Sequence, residues 1–577
     1  MKITGAKLFV NALKAENVTT LFAYPGGQIM DLFDALYKEQ EIDVIVPRHE
    51  QGLIHAADGY ARSTGKVGVC LVTSGPGAAN LVTGIATAQY DGVPLVCFTG
   101  QVPTDLLGRN AFQEIDIVDV TKSICKYAVR VEQREDLAKI IQKAFAVAQD
   151  GRKGVVVVDL PKDIQQAYGE ADYTKMIPVR IHDPQESHQE KQLEKAWHLL
   201  SHAKKPLFLV GGGVNIAHAQ KEMRQLVELT GIPVVTTIMG KGAIPSEHDL
   251  YVGNLGIHGS YAANSAISQC DVLCAVGTRF NDRITGKTKE FATNAKLIHI
   301  DIDEEVISRN IPADIAVMAD AKEAVINLLN RSKTLSLSNW VKEIKQWKKD
   351  YPLTVEADGL SPKKIIEAVN EIFADAIIAT DVGQNQLWTT QFLEIDEHKK
   401  LLTSGGFGTM GYGFPAAIGA QLGNRDRQVI LISGDGGMQM NIQELATAVV
   451  YELPLIICIF NNGYLGNVRQ WQELFYHRRY AGTCMRYRRC CEHICRKKEQ
   501  KCPEYTPDFI RLAESYGAKG IRVEQEKDIK KAFFMAKENT NVPTVIEFII
   551  DREANVMPII SPGESLKNMI MDTSSIK

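Results

Sequence analysis

The sequence predicts an α/β fold made of three doubly wound parallel-sheet domains. Its 577 residues are too many for one hydrophobic core, and 45% hydrophobic with 23% charged residues is an ordinary globular composition. Apolar strand-like runs alternate with helical patterns in three successive blocks, which is typical of parallel sheets with helices on both faces. We therefore predict domains at residues 1–170, 190–332 and 360–550, and a C-terminal tail at 551–577.

The first block carries apolar runs at residues 44–46, 67–72, 95–98 and 155–159. Helical patterns connect these runs, so the strands should lie parallel to one another. Polar residues 168–192 follow and are interpreted as a linker.

The second and third blocks repeat this rhythm, and the polar, Lys-rich residues 332–358 separate them. No short-period repeat is present, so a solenoid is not supported. The second block has apolar runs at 206–210, 272–277 and 297–303, and the third has them at 376–381, 429–433, 455–460 and 544–550.

Charge and composition argue against several classes of protein. A formal net charge of −4 leaves no basic excess of the kind that nucleic-acid-binding proteins carry. No run of about 18 apolar residues predicts a membrane span, and the first residues show no export signal. Six of the eleven cysteines lie mostly in apolar runs, where reduced thiols pack as small hydrophobes, so we predict a cytoplasmic protein.

Two motifs in the third block predict a site for a metal-bound diphosphate. Gly434-Asp435-Gly436 directly follows one predicted strand, and Asn461-Asn462 directly follows the next. Carboxyl ends of parallel strands meet at one edge of a sheet, where a carboxylate and a carboxamide supply the oxygen ligands that Mg²⁺ prefers. Glycines allow close approach of the backbone to a diphosphate. A tight turn between strand and helix is the alternative for Gly-Asp-Gly alone.

Two features of the first block predict a companion site. Glu50 lies where a predicted strand ends and a helix begins, which suits either a catalytic acid or an acid favoured by the helix dipole. Residues 73–80, Thr-Ser-Gly-Pro-Gly-Ala-Ala-Asn, follow another strand and open a helix. This turn either approaches a ligand or is a plain connection between strand and helix.

Together these motifs resemble the fingerprint of thiamine-diphosphate enzymes, and within that group the chain resembles the acetohydroxyacid (acetolactate) synthases over nearly its whole length. The resemblance implies a pyrimidine-binding, a central FAD-binding and a pyrophosphate-binding domain. The matching segments are Tyr24-Pro-Gly-Gly27, Arg48-His-Glu-Gln51, Gly75-Pro-Gly77, Ala111-Phe-Gln-Glu114, Leu160-Pro-Lys-Asp163, residues 279–286 and Gln470-Trp-Gln-Glu-Leu-Phe475.

Position by position, the resemblance implies that Mg²⁺ is held by the side chains of Asp435 and Asn462 and by the backbone carbonyl of Tyr464. Glu50 would bond the aminopyrimidine as the catalytic acid, with Gly27 and Gln113 beside it. The other implied thiamine-diphosphate contacts are Tyr24, Pro76, Asn80, Val382, Gly383, Gln384, Gly408, Met410, Gly436, Gly437, Met440, Leu465 and Gly466.

The resemblance also implies a ketoacid pocket lined by Gly27, Phe112, Val468 and Trp471, although large apolar residues are more often core residues. For the middle block, Gly211-Gly-Gly213 is by itself a weak dinucleotide signal. FAD is expected to be structural, because the net reaction transfers no electrons. Its implied binding residues are Arg152, Gly211, Gly212, Gly213, His258, Gly277, Arg279, Arg283, Asp301 and Asp320.

The sequence departs from the family pattern at three places. Asn467 stands where the family usually has methionine, and Asn281 stands where it often has a second acid. Residues 482–505 form a Cys-rich insert among arginines and lysines. Zinc or an iron–sulfur cluster, reversible disulfides, and a solvated loop are three hypotheses for it, since no Cys-x-x-Cys pair is present. Its cysteines are Cys484, Cys490, Cys491, Cys495 and Cys502.

The implied activity is decarboxylation of pyruvate and condensation of the remaining fragment with pyruvate or 2-ketobutyrate, the first common step of branched-chain amino acid biosynthesis. Trp471 is the expected discriminator between the two acceptors. A homodimer or homotetramer, with active sites between chains, and a small regulatory subunit are implied partners. A pyruvate-oxidase-like enzyme and a non-catalytic ligand-binding homologue are the alternatives.

Overall fold

The computed structural model describes residues 2–171, 186–489, 491 and 502–572. Their strands form three six-stranded parallel sheets and two short antiparallel pairs. The predicted fold class of three α/β domains is therefore confirmed. The exact domain boundaries stay a prediction.

The first sheet is built from residues 20–161. Its strands are β2 (Thr20–Tyr24), β3 (Asp43–Ile45), β4 (Gly68–Val72), β5 (Leu95–Gln101), β6 (Tyr127–Arg130) and β7 (Val155–Pro161), while β1 (Lys2–Thr4) pairs separately with β8 (Tyr168–Glu170). Its helices are α1 (Gly5–Ala15), α2 (Met30–Tyr37), α3 (Glu50–Thr64), α4 (Pro76–Ala79), α5 (Val82–Asp91), α6 (Ile117–Thr121), α7 (Leu137–Gln149) and α8 (Lys162–Gln166). The strand order is β3-β2-β4-β5-β7-β6.

The middle sheet follows after a segment that lies partly outside the described residues. Its strands are β9 (Pro206–Val210), β10 (Val234–Thr236), β11 (Tyr251–Asn254), β12 (Val272–Val276), β13 (Lys296–Asp301) and β14 (Ile315–Met318). Its helices are α9 (Glu186–His202), α10 (Gly212–Ile216), α11 (Gln220–Thr230), α12 (Tyr261–Gln269), α13 (Asp282–Thr285), α14 (Ala321–Arg331) and α15 (Ser338–Asp350). The strand order is β11-β10-β9-β12-β13-β14.

The third sheet repeats the topology of the first. Its strands are β15 (Ile377–Thr380), β16 (Lys400–Leu402), β17 (Val429–Gly434), β18 (Ile456–Asn461), β19 (Lys519–Val523) and β20 (Thr544–Ile549). Its helices are α16 (Pro362–Ile372), α17 (Gln384–Phe392), α18 (Gly413–Gly423), α19 (Asp435–Met438), α20 (Leu445–Val450), α21 (Gly466–Phe475), α22 (Phe509–Ser515) and α23 (Ile529–Lys537). The strand order is β16-β15-β17-β18-β20-β19.

Both faces of each sheet are buried. In β4, Val69 and Leu71 belong to one apolar cluster while Cys70 and Val72 belong to another, because successive side chains of a strand point to opposite faces. This double burial explains why the sequence shows continuous apolar runs rather than alternating ones.

The strand orders locate the ligand-binding edges. In open parallel sheets, ligands bind at the carboxyl edge where the strand order reverses. That point lies between β2 and β4 in the first sheet, between β9 and β12 in the middle sheet and between β15 and β17 in the third. The middle sheet has the strand order typical of dinucleotide-binding folds. This strand order was not predicted from the sequence.

The first and third domains pack directly on each other. Helix α3 lies against α18, and a side chain added at Gly59 would collide with the backbone of Ala416. At this contact the buried Tyr412 hydroxyl donates to Asp58 at 2.7 Å, and Arg62 bridges Asp58 and Asp91 at 2.6 and 2.9 Å. A buried hydrogen-bond network therefore joins the two domains within one chain.

Two segments interpreted as linker and tail contain ordered structure. Strand β8 lies in the predicted linker and pairs with β1, whereas residues 172–185 lie outside the described residues. In the predicted tail, β21 (Ile559–Ile560) and β22 (Met569–Ile570) form an antiparallel pair. Ile560 and Leu566 are buried in a cluster of the middle domain, so the chain folds back on that domain up to residue 572.

Candidate active site

Two neighbouring strands of the third sheet deliver Asp435 and Asn462 to one edge. Strands β17 and β18 run parallel with Gly434 opposite Phe460, and Asp435 and Asn462 follow directly. The Gly463 amide donates to Oδ2 of Asp435 at 3.1 Å, and the Tyr464 amide donates to Oδ1 of Asn462 at 3.0 Å. Hydrogen bonds thus join the two loops whose side chains were predicted from the sequence to bind one metal ion.

The charge at this edge fits a metal ion. Burial raises the pKa of Asp435 to about 7, although hydrogen bonds from Tyr505 and nearby backbone amides oppose that rise. Among the described residues, no cationic side chain forms an ion pair with Asp435. A divalent cation would offset the desolvation of this carboxylate, and Asn462 offers a second oxygen of the kind that Mg²⁺ prefers.

Close backbone approach explains the glycine at position 466. An added side chain there would collide with Oε1 of Gln384 and would lie 2.7 Å from Nδ2 of Asn462. The Asn462 amide itself donates to Gln384 at 3.2 Å. Gly466, Gln384 and Asn462 therefore form one contact set, and Leu465 lies against Gly436 in the neighbouring loop.

Asp381 is a residue that sequence reasoning missed. It directly follows β15, precedes Val382 and Gly383, and accepts from the backbone amides of Gly411 and Gly413, each at 3.0 Å. Burial raises its pKa to about 6 against these hydrogen bonds. It ties the loop carrying Gly408 and Met410 to the edge that carries Asp435. An acid directly after an apolar run was the available signal.

The first sheet brings together a second set around Glu50, which begins α3. Oε2 of Glu50 accepts from the Asn80 amide at 2.9 Å. Gly75, with φ of 58°, turns the chain before Pro76, and an added Cβ there would lie 2.9 Å from Cβ of Gln113. Gln113 itself has φ of 59°, an uncommon conformation that recurs at functional sites.

The turn from Tyr24 to Gly27 lies beside the loop that begins at Thr73. The Gln28 amide donates to the Thr73 hydroxyl at 3.3 Å, and Gly26 packs against the same threonine. Lys162, which was not among the predicted site residues, donates from Nζ to the Gly27 carbonyl at 3.0 Å. Glu50 thus contacts Asn80, and the Gly75 turn before Pro76 contacts Gln113. Tyr24 ends β2 and leads into Gly27 at the same carboxyl edge of the first sheet.

The predicted pocket residues lie largely on the surface of the single chain. Phe112 is 84% exposed and Val468 is 52% exposed, as is Met440, a predicted thiamine-diphosphate contact. Trp471 is half-buried, with the Arg283 guanidinium 5.6 Å from its ring centroid. Arg283 and Trp471 link the predicted flavin set to the predicted acceptor pocket.

A cavity of about 1100 Å³ lies between the three domains. Residues from the first and third domains, such as Tyr90 and Gly406, share its lining with the middle domain. Gly213 approaches Gly277 so closely that an added Cβ would lie 2.6 Å from the Gly277 Cα. Eight of the predicted FAD residues line it: Arg152, Gly212, Gly213, Gly277, Arg279, Arg283, Asp301 and Asp320.

The polar groups around this cavity fit a large ligand with phosphates and rings. Burial lowers the pKa of Arg279, whose guanidinium lies 4.2 Å from the Tyr90 ring centroid. Burial also raises the pKa of Asp301 to about 6. Oδ1 of Asn281, in the cavity lining, is buried without a hydrogen-bond partner among the described residues. His258 and Gly211, the other two predicted FAD residues, do not line the cavity. Asp320 also caps helix α14, so it has a structural role as well.

The Cys-rich insert is described only at its two ends. Cys490 and Cys495 lie outside the described residues. Cys484, Cys491 and Cys502 are free thiols, and the described part of the chain contains no group of three or more potential metal ligands.

No described helix is long and apolar enough to cross a membrane.

Comparison with known proteins also finds three domains in this chain. Family models described as the N-terminal TPP binding domain, the central domain and the C-terminal TPP binding domain of thiamine pyrophosphate enzymes match residues 3–120, 193–328 and 381–548. An acetolactate synthase large subunit of Cyanidium caldarium is 43% identical over 100% of this chain and 98% of its own.

Two further relatives agree with this result. A probable acetolactate synthase large subunit of Methanococcus aeolicus is 43% identical over 98% of this chain and 95% of its own. An acetolactate synthase large subunit of Corynebacterium glutamicum is 42% identical over 98% of this chain and 89% of its own.

Proposed function

The chain belongs to the acetolactate synthase large subunits among the thiamine-pyrophosphate enzymes, and from that membership we propose that it makes acetolactate from two molecules of pyruvate. The observation that carries the proposal is the joined pair of loops bearing Asp435 and Asn462 at the carboxyl edge of the third sheet. A buried carboxylate and a carboxamide at such an edge are the donor set for a magnesium-bound diphosphate.

The residues around Asp435 and Asn462 and those around Glu50 would have different roles in the reaction. Thiamine diphosphate, when bound, supplies nucleophilic addition to a keto carbon and an electron sink for decarboxylation. Asp435, Asn462 and the Tyr464 carbonyl would hold its metal ion. Glu50 would hold a proton against the aminopyrimidine, and the Asn80 amide fixes the Glu50 carboxylate for that task.

The exposure of predicted site residues in the single chain supports an active site between chains. Phe112, Val468 and Met440 are exposed in the single chain, where a second chain would cover them and exclude water. We therefore propose a homodimer or homotetramer. We also propose that 2-ketobutyrate is an alternative acceptor, that a small regulatory subunit binds the chain, and that the protein is cytoplasmic.

The cavity between the domains supports FAD as a structural cofactor. Its size suits a ligand of that class, and the middle sheet reverses its strand order at the glycines that line it. Arg279 and Asp301, which line the cavity, would then contact the flavin nucleotide.

The test is to incubate the purified protein with pyruvate, Mg²⁺, FAD and thiamine diphosphate, and to measure acetolactate and CO₂. We expect one CO₂ and one acetolactate for every two pyruvates consumed. Bleaching of FAD by pyruvate without carboligation would instead identify a pyruvate-oxidase-like enzyme. Absence of any thiamine-dependent CO₂ release would refute the proposed activity.

A further inference from the structure

A buried carboxylate connects three neighbouring strands of the first sheet. Asp159 of β7 is 0% exposed and lies opposite Thr99 of β5 and Arg130 of β6. It accepts from the Thr99 hydroxyl at 2.8 Å and from Nε of Arg130 at 2.9 Å. Gln101 is two residues after Thr99, on the same face of β5, and its Nε2 donates to Asp159 at 3.1 Å. Both flanking strands thus bond this carboxylate.

The side-chain amide of Gln101 also reaches the loop of residues 108–116. Its Nε2 donates to the Ile115 backbone carbonyl at 2.7 Å, and its Oε1 accepts from the Val102 amide at 2.9 Å. One acceptor and two donor hydrogens are therefore all used, which neither glutamate nor an apolar side chain of similar length can reproduce. Gln101 is fully buried, so the amide anchors the loop to the sheet without competition from water.

The anchored loop has an unfavourable backbone conformation. Asn110 and Gln113 have φ of 55° and 59°, in the left-handed region that residues with a Cβ seldom occupy. Phe112, which lies between them in the chain, is 84% exposed, so its ring contributes little packing in the single chain. Such a conformation persists only where surrounding contacts hold it.

Two further contacts hold the loop. The Glu114 carboxylate closes it on itself, since Oε2 accepts from the Ala111 amide at 2.9 Å and Oε1 accepts from the Gly108 amide. Gln113 lies against the turn at Gly75, where an added Cβ would lie 2.9 Å from Cβ of Gln113. The loop is therefore fixed by hydrogen bonds at both ends and by close contact at Gln113.

We propose that Gln101 is a positioning residue, which holds Phe112 and Gln113 where thiamine diphosphate and the ketoacid require them. This inference rests on the proposed function, since it assigns a support to two residues of that same site. Gln101 acts through the loop rather than on the cofactor. A misplacement of about 1 Å can lower a rate about 100-fold, so removal of the anchor should impair catalysis far beyond its effect on folding.

The test compares Gln101→Met with wild type and with Gln421→Met. Gln421 is a matched control in the third domain, because it is 1% exposed and its amide also has one donor and two acceptor partners. These partners are the Val429 amide and the carbonyls of Asn424 and Arg427. Thermal unfolding of the cofactor-free proteins reports on folding, and amide hydrogen exchange reports on opening of residues 108–116. Titration with thiamine diphosphate and Mg²⁺ gives cofactor affinity without relying on turnover.

Both variants are expected to unfold at a lower temperature than wild type. Only Gln101→Met should speed exchange in residues 108–116 and raise the thiamine diphosphate concentration for half-saturation, each by up to about tenfold, as for loss of one neutral hydrogen bond. Its acetolactate formation at saturating cofactor should fall by up to about 100-fold. Exchange, affinity and rate equal to those of Gln421→Met would overturn the inference. Faster exchange with wild-type affinity and rate would also overturn it.

Glu114→Ala tests the same loop if Gln101→Met does not fold. Glu114 is partly exposed, so its removal should leave the unfolding temperature unchanged. Faster exchange in residues 108–116 with weaker cofactor binding would support the inference, and wild-type values for both would overturn it. Failure of the proposed function is recognised separately, because wild-type protein would then bind no thiamine diphosphate or make no acetolactate, and the positioning role would fall with it.

Discussion

Replacing Glu50 with glutamine tests the predicted catalytic acid with a minimal change in shape. The amide oxygen of the introduced glutamine can still accept the Asn80 hydrogen bond, which is 2.9 Å long in the structure. A bond to a charged acceptor contributes about 1.5–3 kcal/mol and one to a neutral acceptor about 0.5–1.5 kcal/mol. Glu50→Gln should therefore cost about 1 kcal/mol of folding free energy.

The expected loss of rate is much larger than this loss of stability. A positioned acid or base contributes about 10²- to 10⁴-fold, which is about 3–5 kcal/mol of activation free energy. Acetolactate formation at saturating pyruvate and cofactor should fall by that factor, while cofactor affinity changes by only a few-fold. Glu132→Gln, an exposed acid of the same domain, is the control. Equal rates for Glu50→Gln and wild type would refute the assigned role.

Three further predictions follow from the two-part site and its surroundings. If active sites lie between two chains, mixing inactive Glu50→Gln and Asp435→Asn chains should restore up to about a quarter of wild-type activity. Half of the dimers are then mixed, and each mixed dimer has one intact site out of two. No recovery after verified subunit exchange would place both residues of a site in one chain. Tyr412→Phe removes the buried hydrogen bond to Asp58 and should lower the free energy of unfolding by about 1.5–3 kcal/mol, measured as a urea midpoint. Tyr516→Phe is the control, since Tyr516 is a partly buried tyrosine of the same domain. An unchanged midpoint for Tyr412→Phe would contradict the importance of this contact. Elemental analysis of anaerobically purified protein should separate the hypotheses for the insert, since less than about 0.2 equivalents of zinc or iron would eliminate the metal one.

The sequence predicted those parts of the fold that local pattern determines. The runs at 67–72, 429–433 and 455–460 became β4, β17 and β18 within a residue or two, because strands buried on both faces must be continuously apolar. Gly434-Asp435-Gly436 and Asn461-Asn462 could be placed at one edge because the strands before them were recognisable. The short edge strand β16 gives a much weaker signal and was not among the predicted runs.

Contacts between distant segments could not be predicted in this way. The Tyr505 hydroxyl accepts a hydrogen bond from Gln439, 66 residues away in the chain, and nothing in its local sequence identifies that partner. Tyr412 and Asp58 belong to different domains, so their hydrogen bond depends on how α3 and α18 pack. Ile560 and Leu566 were assigned to a tail because their surroundings are polar, yet the middle domain buries both.

The most direct test of the whole account is a crystal structure of the protein with Mg²⁺ and thiamine diphosphate. We predict a magnesium ion bound by the side chains of Asp435 and Asn462 and by the Tyr464 carbonyl, with the Glu50 carboxylate of a second chain against the aminopyrimidine. A cofactor bound away from Asp435 and Asn462, or an aminopyrimidine remote from any Glu50, would contradict it.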